Sequence, residues 1–283
     1  MKSLTDTYTL YNGVKIPCLG FGTWLAASGE EAERSVRAAI ESGYRHIDTA
    51  TAYGNEESVG KAIRESGIAR EELFVTTKLR NPQHGYESTL AAFNDSIKWL
   101  GLDYIDLYLI HWPVPGGFHD CWEEKNAETW KAFEKLYKEG YVRSIGVSNF
   151  FPHHLDKLYK TANVGPMVNQ IKLGPGLTQP ETVRYCRGRE ILIEAYSPMG
   201  HGSIFSSEEM KKFAEKYNRS IAQICLRYSL QMGYLPLAKS VNPDRIASNA
   251  KVFDFELSDE DVKLISETKG EWSTMRDPDF ITF

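Results

Sequence analysis

The chain has 283 residues, 42% hydrophobic and 25% charged, with a formal net charge of -5. This is the balance of a soluble globular protein with a sizeable core, and with no block of Lys and Arg it argues against nucleic-acid binding. The opening MKSLTDTYTLYNG has no apolar run, so neither a signal peptide nor an anchor is expected, and no stretch approaches the roughly 20 apolar residues that span a bilayer.

Short apolar strands then alternate with amphipathic helices. YTLYNGVKIPCL predicts a hairpin that turns at Asn12-Gly13, and LGFGTW predicts a first strand. A helix is expected from Glu30 to Ser42, stopped by Gly43; HIDTA is a strand, and EESVGKAIRESG a helix stopped by Gly67. LFVTTK, DYIDLYLIH, VRSIGVS, PMVNQIK, ILIEAYS and YLPLAKS read as further strands. Their helices are STLAAFNDSIKWLG, ETWKAFEKLYKEG, PHHLDKLYKTA, QPETVRYCRGR, SIAQICLRYSLQMG and NPDRIASNAKVF. FSSEEMKKFAEKYN adds a helix outside the alternation. Eight such units predict an α/β fold, a (β/α)8 TIM barrel with an N-terminal β-hairpin and an extra peripheral helix, as a single domain over residues 1–283. An open doubly wound sheet is the alternative, but no GxGxxG follows any strand. Cys18, Cys121, Cys186 and Cys225 form no CxxC pair and are expected as buried or half-buried thiols in a reducing cytoplasm.

In a barrel the active site lies at the C-terminal strand ends. These present Thr23 and Trp24, then Asp48 with Tyr53 in its loop, Lys78, His111 with Trp112, Ser148 with Asn149, Gln170, Tyr196 with Ser197, and Lys239 with Ser240. Each has an ordinary reading alone, such as a helix-entry acid or a satisfied core histidine. Together they form a circuit. A phenol is a weak acid at neutral pH; a lysine ammonium beside Tyr53 favours the phenolate; Asp48 holds Lys78 in place and charged; His111 orients a substrate oxygen. The circuit suits hydride addition to a carbonyl, where one proton must follow charge onto oxygen. No HxH or HExxH spacing suggests a metal, and His153-His154 sits at a helix start.

The stretches GYRHIDTATAYGNEESVG, LFVTTKL, LDYIDLYLIHWP, RSIGVSNF, MVNQ, AYSPMG and AKSVNPDRIASNAKVFDFELSDED resemble the aldo-keto reductase family over about residues 9–265. The similarity is to the branch holding 2,5-diketogluconate reductases and prostaglandin F synthase-like reductases. It implies an NADPH-dependent reductase of aldehydes and ketones; the short loop PVPGGFHDCWEEKN and the modest tail after Gly270 predict an open pocket with broad tolerance for glyoxals, aldehydes, keto sugars or keto acids. It implies Asp48, Tyr53, Lys78 and His111 as the catalytic tetrad. It also implies a cofactor site of Gly22, Thr23, Trp24, Asp48, Ser148, Asn149, Gln170, Tyr196, Ser197, Lys239, Ser240, Val241, Asn242, Arg245, Ser248 and Asn249, with Tyr196 stacked on the nicotinamide and Lys239 to Arg245 around the 2′-phosphate.

Trp24, Arg80, Trp112 and Phe118 are expected around the substrate. Arg80 stands where relatives often carry a pocket tryptophan and reads either as a cation for acidic substrates or as a solvated arginine. Lys172 and Gly174 replace a usual acid and histidine, and Ala238 a usual proline; the expected effect is on local packing only. A monomeric cytoplasmic enzyme acting on a small carbonyl compound, without nucleic acid, membrane or metal, is the principal expectation. The alternatives are a Schiff-base lyase using Lys78 and a non-catalytic NADPH-binding redox sensor or scaffold.

Overall fold

The computed structural model describes residues 1–283. Two antiparallel strands, β1 (Thr7–Thr9) and β2 (Lys15–Pro17), pair Tyr8 with Ile16. The remaining strands alternate with helices: β3 (Gly20–Gly22), α1 (Glu30–Glu41), β4 (His46–Asp48), α2 (Glu56–Arg64), β5 (Phe74–Leu79), α3 (Tyr86–Leu100), β6 (Leu107–Ile110), α4 (Trp122–Lys138), β7 (Ile145–Ser148), α5 (Pro152–Tyr159), β8 (Val168–Lys172), α6 (Pro180–Arg187) and β9 (Leu192–Tyr196). Then come α7 (Glu208–Tyr217), α8 (Ile221–Gln231), β10 (Leu235–Ala238), α9 (Pro243–Asn249) and α10 (Asp259–Glu267). β3 to β10 are all parallel and close on themselves, β10 pairing with both β9 and β3. The expected closed barrel, its hairpin and the extra helix (α7) are present.

The hairpin covers the N-terminal ends of the barrel strands. Tyr8 donates to the carbonyl of Tyr234, just before β10, and Asn12 to that of Arg143, just before β7. At the same end, buried Asp106 accepts from Arg70 at 2.7 Å, Arg143 at 2.8 Å and the Val75 amide at 2.9 Å. It thereby ties β5 to β6 and plays a structural part, leaving the opposite rim for chemistry. The main core is a continuous cluster of 53 buried residues between barrel wall and helices, and a second of 8 packs α7, α8 and α10 together. Gly60 lets α2 approach α3 closely, because a Cβ there would meet the Leu100 carbonyl at 2.0 Å.

Two elements depart from the sequence expectation. α4 begins at Trp122, so the connection after β6 is shorter than expected. α10 was not anticipated; Ser258 starts it by accepting from the Asp261 amide, with three acids in the first turn.

Candidate active site

At the C-terminal rim a cavity of about 1150 Å³ opens, lined by 29 residues drawn from nearly every strand end. Backbone strain concentrates around it. Of seven non-glycine residues with positive φ, four line the cavity: Leu25, Asn149, Ser197 and His201. Such conformations persist where the surroundings enforce them, and often at functional sites.

Asp48 and Lys78 end up opposed because β4 and β5 pair in parallel, with Asp48 beside Thr76. Lys78 is fully buried, and its Nζ donates to both Asp48 carboxylate oxygens at 2.7 Å and to the Thr49 carbonyl at 2.8 Å. Tyr53 returns over this pair on a short 3-10 turn (Thr51–Tyr53), and Gly54 follows with φ 66°, which turns the chain into α2. The Tyr53 hydroxyl lies 3.4 Å from Lys78 Nζ. Burial disfavours the lysine charge, but Asp48 and Tyr53 outweigh it and hold Lys78 above its ordinary value. Burial raises Tyr53 above the ordinary phenol range, and Lys78 only partly offsets this. Lys78 thus acts on Tyr53 in the expected direction, but desolvation is the larger effect and the net shift is upward.

His111 follows β6 and lines the cavity, its ring 5.9 Å from that of Tyr53. Burial, followed by the nearby Lys78 and His84, pushes it down to about 3. The imidazole is thus neutral at physiological pH and has one N–H to offer. Lys78 itself is absent from the cavity wall. Buried, charged and with its protons engaged, it is a poor Schiff-base amine, which counts against the lyase reading.

The amide-bearing residues form a linked set. Asn149 accepts from the Tyr196 hydroxyl at 2.8 Å and donates to the His111 carbonyl at 3.0 Å and to Ser148 at 3.1 Å. Ser148 donates to the Gln170 carbonyl at 2.8 Å. These bonds fix the Tyr196 ring at the cavity wall. Gln170 Nε2 donates to Asp48 at 2.8 Å and to Glu194 at 2.5 Å, and Gln170 Oε1 has no partner within the protein.

Sequence reading missed Glu194. It lies two residues before Tyr196 on β9, so strand alternation turns both to the barrel interior. It is fully buried, and its Oε1, unpaired, lies 3.5 Å from His46 Nε2. Burial, and then Asp48, raises Glu194 to about 8, while burial lowers His46 to about 3. Asp48 is also pushed up by burial, but it receives bonds from Lys78 and Gln170 and carries the one negative charge of the pair. An acid inside the apolar run ILIEAYS was the available signal.

Gly22, Trp24, Trp112, Ser197, Lys239, Ser240, Arg245, Ser248 and Asn249 line the cavity with the residues above. Others named from the sequence do not. Thr23 lies behind the wall, bonded to the Asp48 carbonyl at 3.1 Å. Val241 is off the wall, and so is Asn242, whose side chain accepts from the Arg245 amide at 3.0 Å to start α9. Phe118 stacks on His84 away from the cavity. Arg80 is exposed and off the wall, so its solvated reading is the one that fits. Lys172, in contrast, lines the cavity, as do Arg276 and Phe283 of the C-terminal segment. The expectation that Lys172 changes only packing is corrected.

Asp279 joins the two adjacent histidines, accepting from His153 at 2.9 Å and His154 at 2.8 Å. His154 Nδ1 accepts the Phe151 amide, so its Nε2 carries the proton donated to Asp279. This is a hydrogen-bonded clamp on the C-terminal segment, not a ready set of metal ligands.

A family model described as the aldo/keto reductase family matches residues 18–269. The chain is 50% identical over 281 residues to the glyoxal reductase of Bacillus subtilis, covering 99% of each. It is 49% identical over 275 residues to the 9,11-endoperoxide prostaglandin H2 reductase of Trypanosoma cruzi, covering 96% of this chain and 94% of that protein. A solved Bombyx mori aldo-keto reductase in complex with NADP superposes with a TM-score of 0.84 at 38% identity, over 94% of this chain and 92% of that one.

Proposed function

The chain belongs to the aldo/keto reductase family and is an NADP(H)-dependent oxidoreductase of carbonyl compounds; from that premise we propose how its own residues carry the reaction. The cavity's donors fit the cofactor. Lys239, Ser240 and Arg245 at one end suit a phosphate dianion, the Tyr196 ring offers a flat stacking surface, and the free Gln170 Oε1 with Ser148 and Asn149 suits a carboxamide. When bound, NADPH supplies the hydride.

The carrying observation is the Tyr53 hydroxyl 3.4 Å from a lysine locked onto Asp48, beside a neutral histidine on the same wall. His111 donates its N–H to the carbonyl oxygen and orients it. Tyr53 gives that oxygen its proton, and the Lys78 charge, held by Asp48, stabilises the tyrosinate left behind. Trp24 and Trp112 pack the substrate's apolar parts. Tolerance is broad across glyoxals, aldehydes, keto sugars and keto acids. No helix is long and apolar enough to cross a membrane; the chain acts as one domain, as a monomer in the cytoplasm.

The test is NADPH oxidation with methylglyoxal, 4-nitrobenzaldehyde and a 2-keto acid. Turnover with at least one is expected. NADPH binding without turnover on any of them would favour the scaffold reading.

A further inference from the structure

Four cations line the cavity, Lys172, Lys239, Arg245 and Arg276, whereas its one lining carboxylate, Asp48, is already bonded to Lys78. Lys239, just after β10, and Arg245, on α9, are assigned to the cofactor's phosphate. Lys172 and Arg276 are left without a counterion.

Lys172 ends β8, two residues after Gln170, so both side chains leave the strand on the same face. It is 9% exposed, and its Nζ bonds to one protein atom, the Thr274 carbonyl at 2.6 Å. That bond brings the C-terminal segment, and Arg276 two residues on, over the same cavity. Arg276 sits 5.2 Å over the Phe283 ring; Phe283 packs edge-on against Trp112 at 5.9 Å, and Trp112 stacks beside His111 at 6.5 Å. Neither cation forms a salt bridge. Both fields reach His201, which burial and then Lys172 and Arg276 hold below the ordinary histidine value.

We propose that Lys172 and Arg276 form an anion subsite that favours, among the carbonyl substrates tolerated, those bearing a carboxylate or phosphate remote from the reacting carbon. The inference rests on the carbonyl-reductase reading and assigns its substrate class. Guanidinium and ammonium groups against a carboxylate give charge-assisted hydrogen bonds, stronger than neutral ones. Lys172, buried without a carboxylate partner, is costly unless a ligand anion meets it, and exposed Arg276 adds a second charge at the same opening. The subsite takes over the role that the sequence alone suggested for Arg80.

The test compares 4-carboxybenzaldehyde with neutral 4-nitrobenzaldehyde in wild type, Lys172→Gln, Arg276→Gln and the charge-keeping Lys172→Arg. In the first two variants the kcat/KM preference for the carboxylate is expected to fall about tenfold, the scale of one charge-assisted contact. Any loss on the neutral aldehyde is expected to be much smaller than that on the carboxylate, the NADPH Kd to hold, and Lys172→Arg to keep the preference. Exposed Arg276 carries the test if Lys172→Gln folds poorly. A second readout needs no turnover: tighter binding of 4-(hydroxymethyl)benzoate than of 1,4-benzenedimethanol to the NADP-loaded protein, followed by tryptophan fluorescence and lost in both Gln variants. An unchanged preference, equal losses on both aldehydes, or equal binding of the two alcohols would overturn the subsite. Weakened NADPH binding with equal losses would assign the cations to the cofactor's phosphates instead. A wild type that reduces neither aldehyde, yet still prefers the benzoate alcohol, would overturn the reductase reading and leave the subsite standing.

Discussion

Glu194 accepts a 2.5 Å hydrogen bond from Gln170 Nε2, the same nitrogen that donates to Asp48 at 2.8 Å. Two carboxyls thus share one buried amide beside a single lysine charge, with His46 neutral next to them. Only one negative charge is balanced there. Asp48 has Lys78 and so holds it, and Glu194 holds a proton.

The consequence is a pH-dependent stability. Unfolded, a glutamate ionises near pH 4.3; folded, Glu194 does so at about 8. Between those values the native state binds more protons than the unfolded one, so stability falls as pH rises. The contribution is complete below the unfolded value and lost by the folded one. Glu194→Gln should flatten this dependence, removing a slope on the order of 1 kcal/mol per pH unit. Urea midpoints of both proteins from about pH 5 to about pH 8 measure it. Parallel curves would show that Glu194 is ionised.

Tyr53→Phe removes one hydroxyl and no packing. Turnover should fall by about 10²- to 10⁴-fold, the worth of a positioned proton donor, with NADPH Kd unchanged. The pH profile of kcat/KM separates Tyr53 from His111. With His111 at about 3, no acid limb near the ordinary histidine value is expected. Activity should decline only on the alkaline side, as Tyr53 loses its proton above the ordinary phenol range. An acid limb near pH 6.5 that disappears in His111→Gln would overturn the neutral-histidine assignment.

Asp48→Asn leaves the fully buried Lys78 without its counter-charge. Breaking a buried pair from one side costs about 3–5 kcal/mol. Asp48→Asn combined with Lys78→Met should recover much of that stability while staying inactive, since no charge is then stranded. A double-mutant cycle in urea reads the coupling. Strictly additive losses would mean that Lys78 sheds its proton when Asp48 is gone.

The sequence shows the barrel because period-two strands, glycine stops and helix patterning repeat eight times. It also brings Asp48, Tyr53, Lys78 and His111 to one rim, because strand ends converge wherever a parallel barrel closes. What lay beyond it depends on direction and on distant segments. Arg80 follows β5 and Lys172 ends β8, yet one points to solvent and the other into the cavity. Glu194 looked like a strand residue because its partners, Gln170 and His46, come from other strands. The segment carrying Arg276 and Phe283 reaches the site through the Lys172 bond to the Thr274 carbonyl and the packing of Phe283 on Trp112, which no local pattern encodes. On this placement Arg80→Trp should leave both neutral and acidic substrates within about twofold of wild type, as expected of a surface change.

The C-terminal segment is fastened by Asp279, which His153 and His154 hold at 2.9 and 2.8 Å. Beyond it, His119 bonds the Ile281 carbonyl at 2.8 Å, Asn81 bonds that of Phe283 at 2.9 Å, and the Phe283 ring reaches the cavity wall. Burial opposes the Asp279 charge, but the two histidines outweigh it and hold the carboxyl below its ordinary value. A lowered carboxyl contributes stability that is present above the unfolded value, near pH 3.9, and lost as pH falls through the folded one, so the clamp is closed at neutral pH. Asp279→Ala should therefore loosen residues 280–283 without unfolding the barrel. Amide exchange at Gly116, whose N–H donates to the Phe283 carbonyl at 3.2 Å, should quicken, and KM for aromatic aldehydes should rise several-fold as the Phe283 wall is lost, while NADPH Kd stays constant. Unchanged exchange in the variant would show that Asn81 and His119 hold the segment on their own.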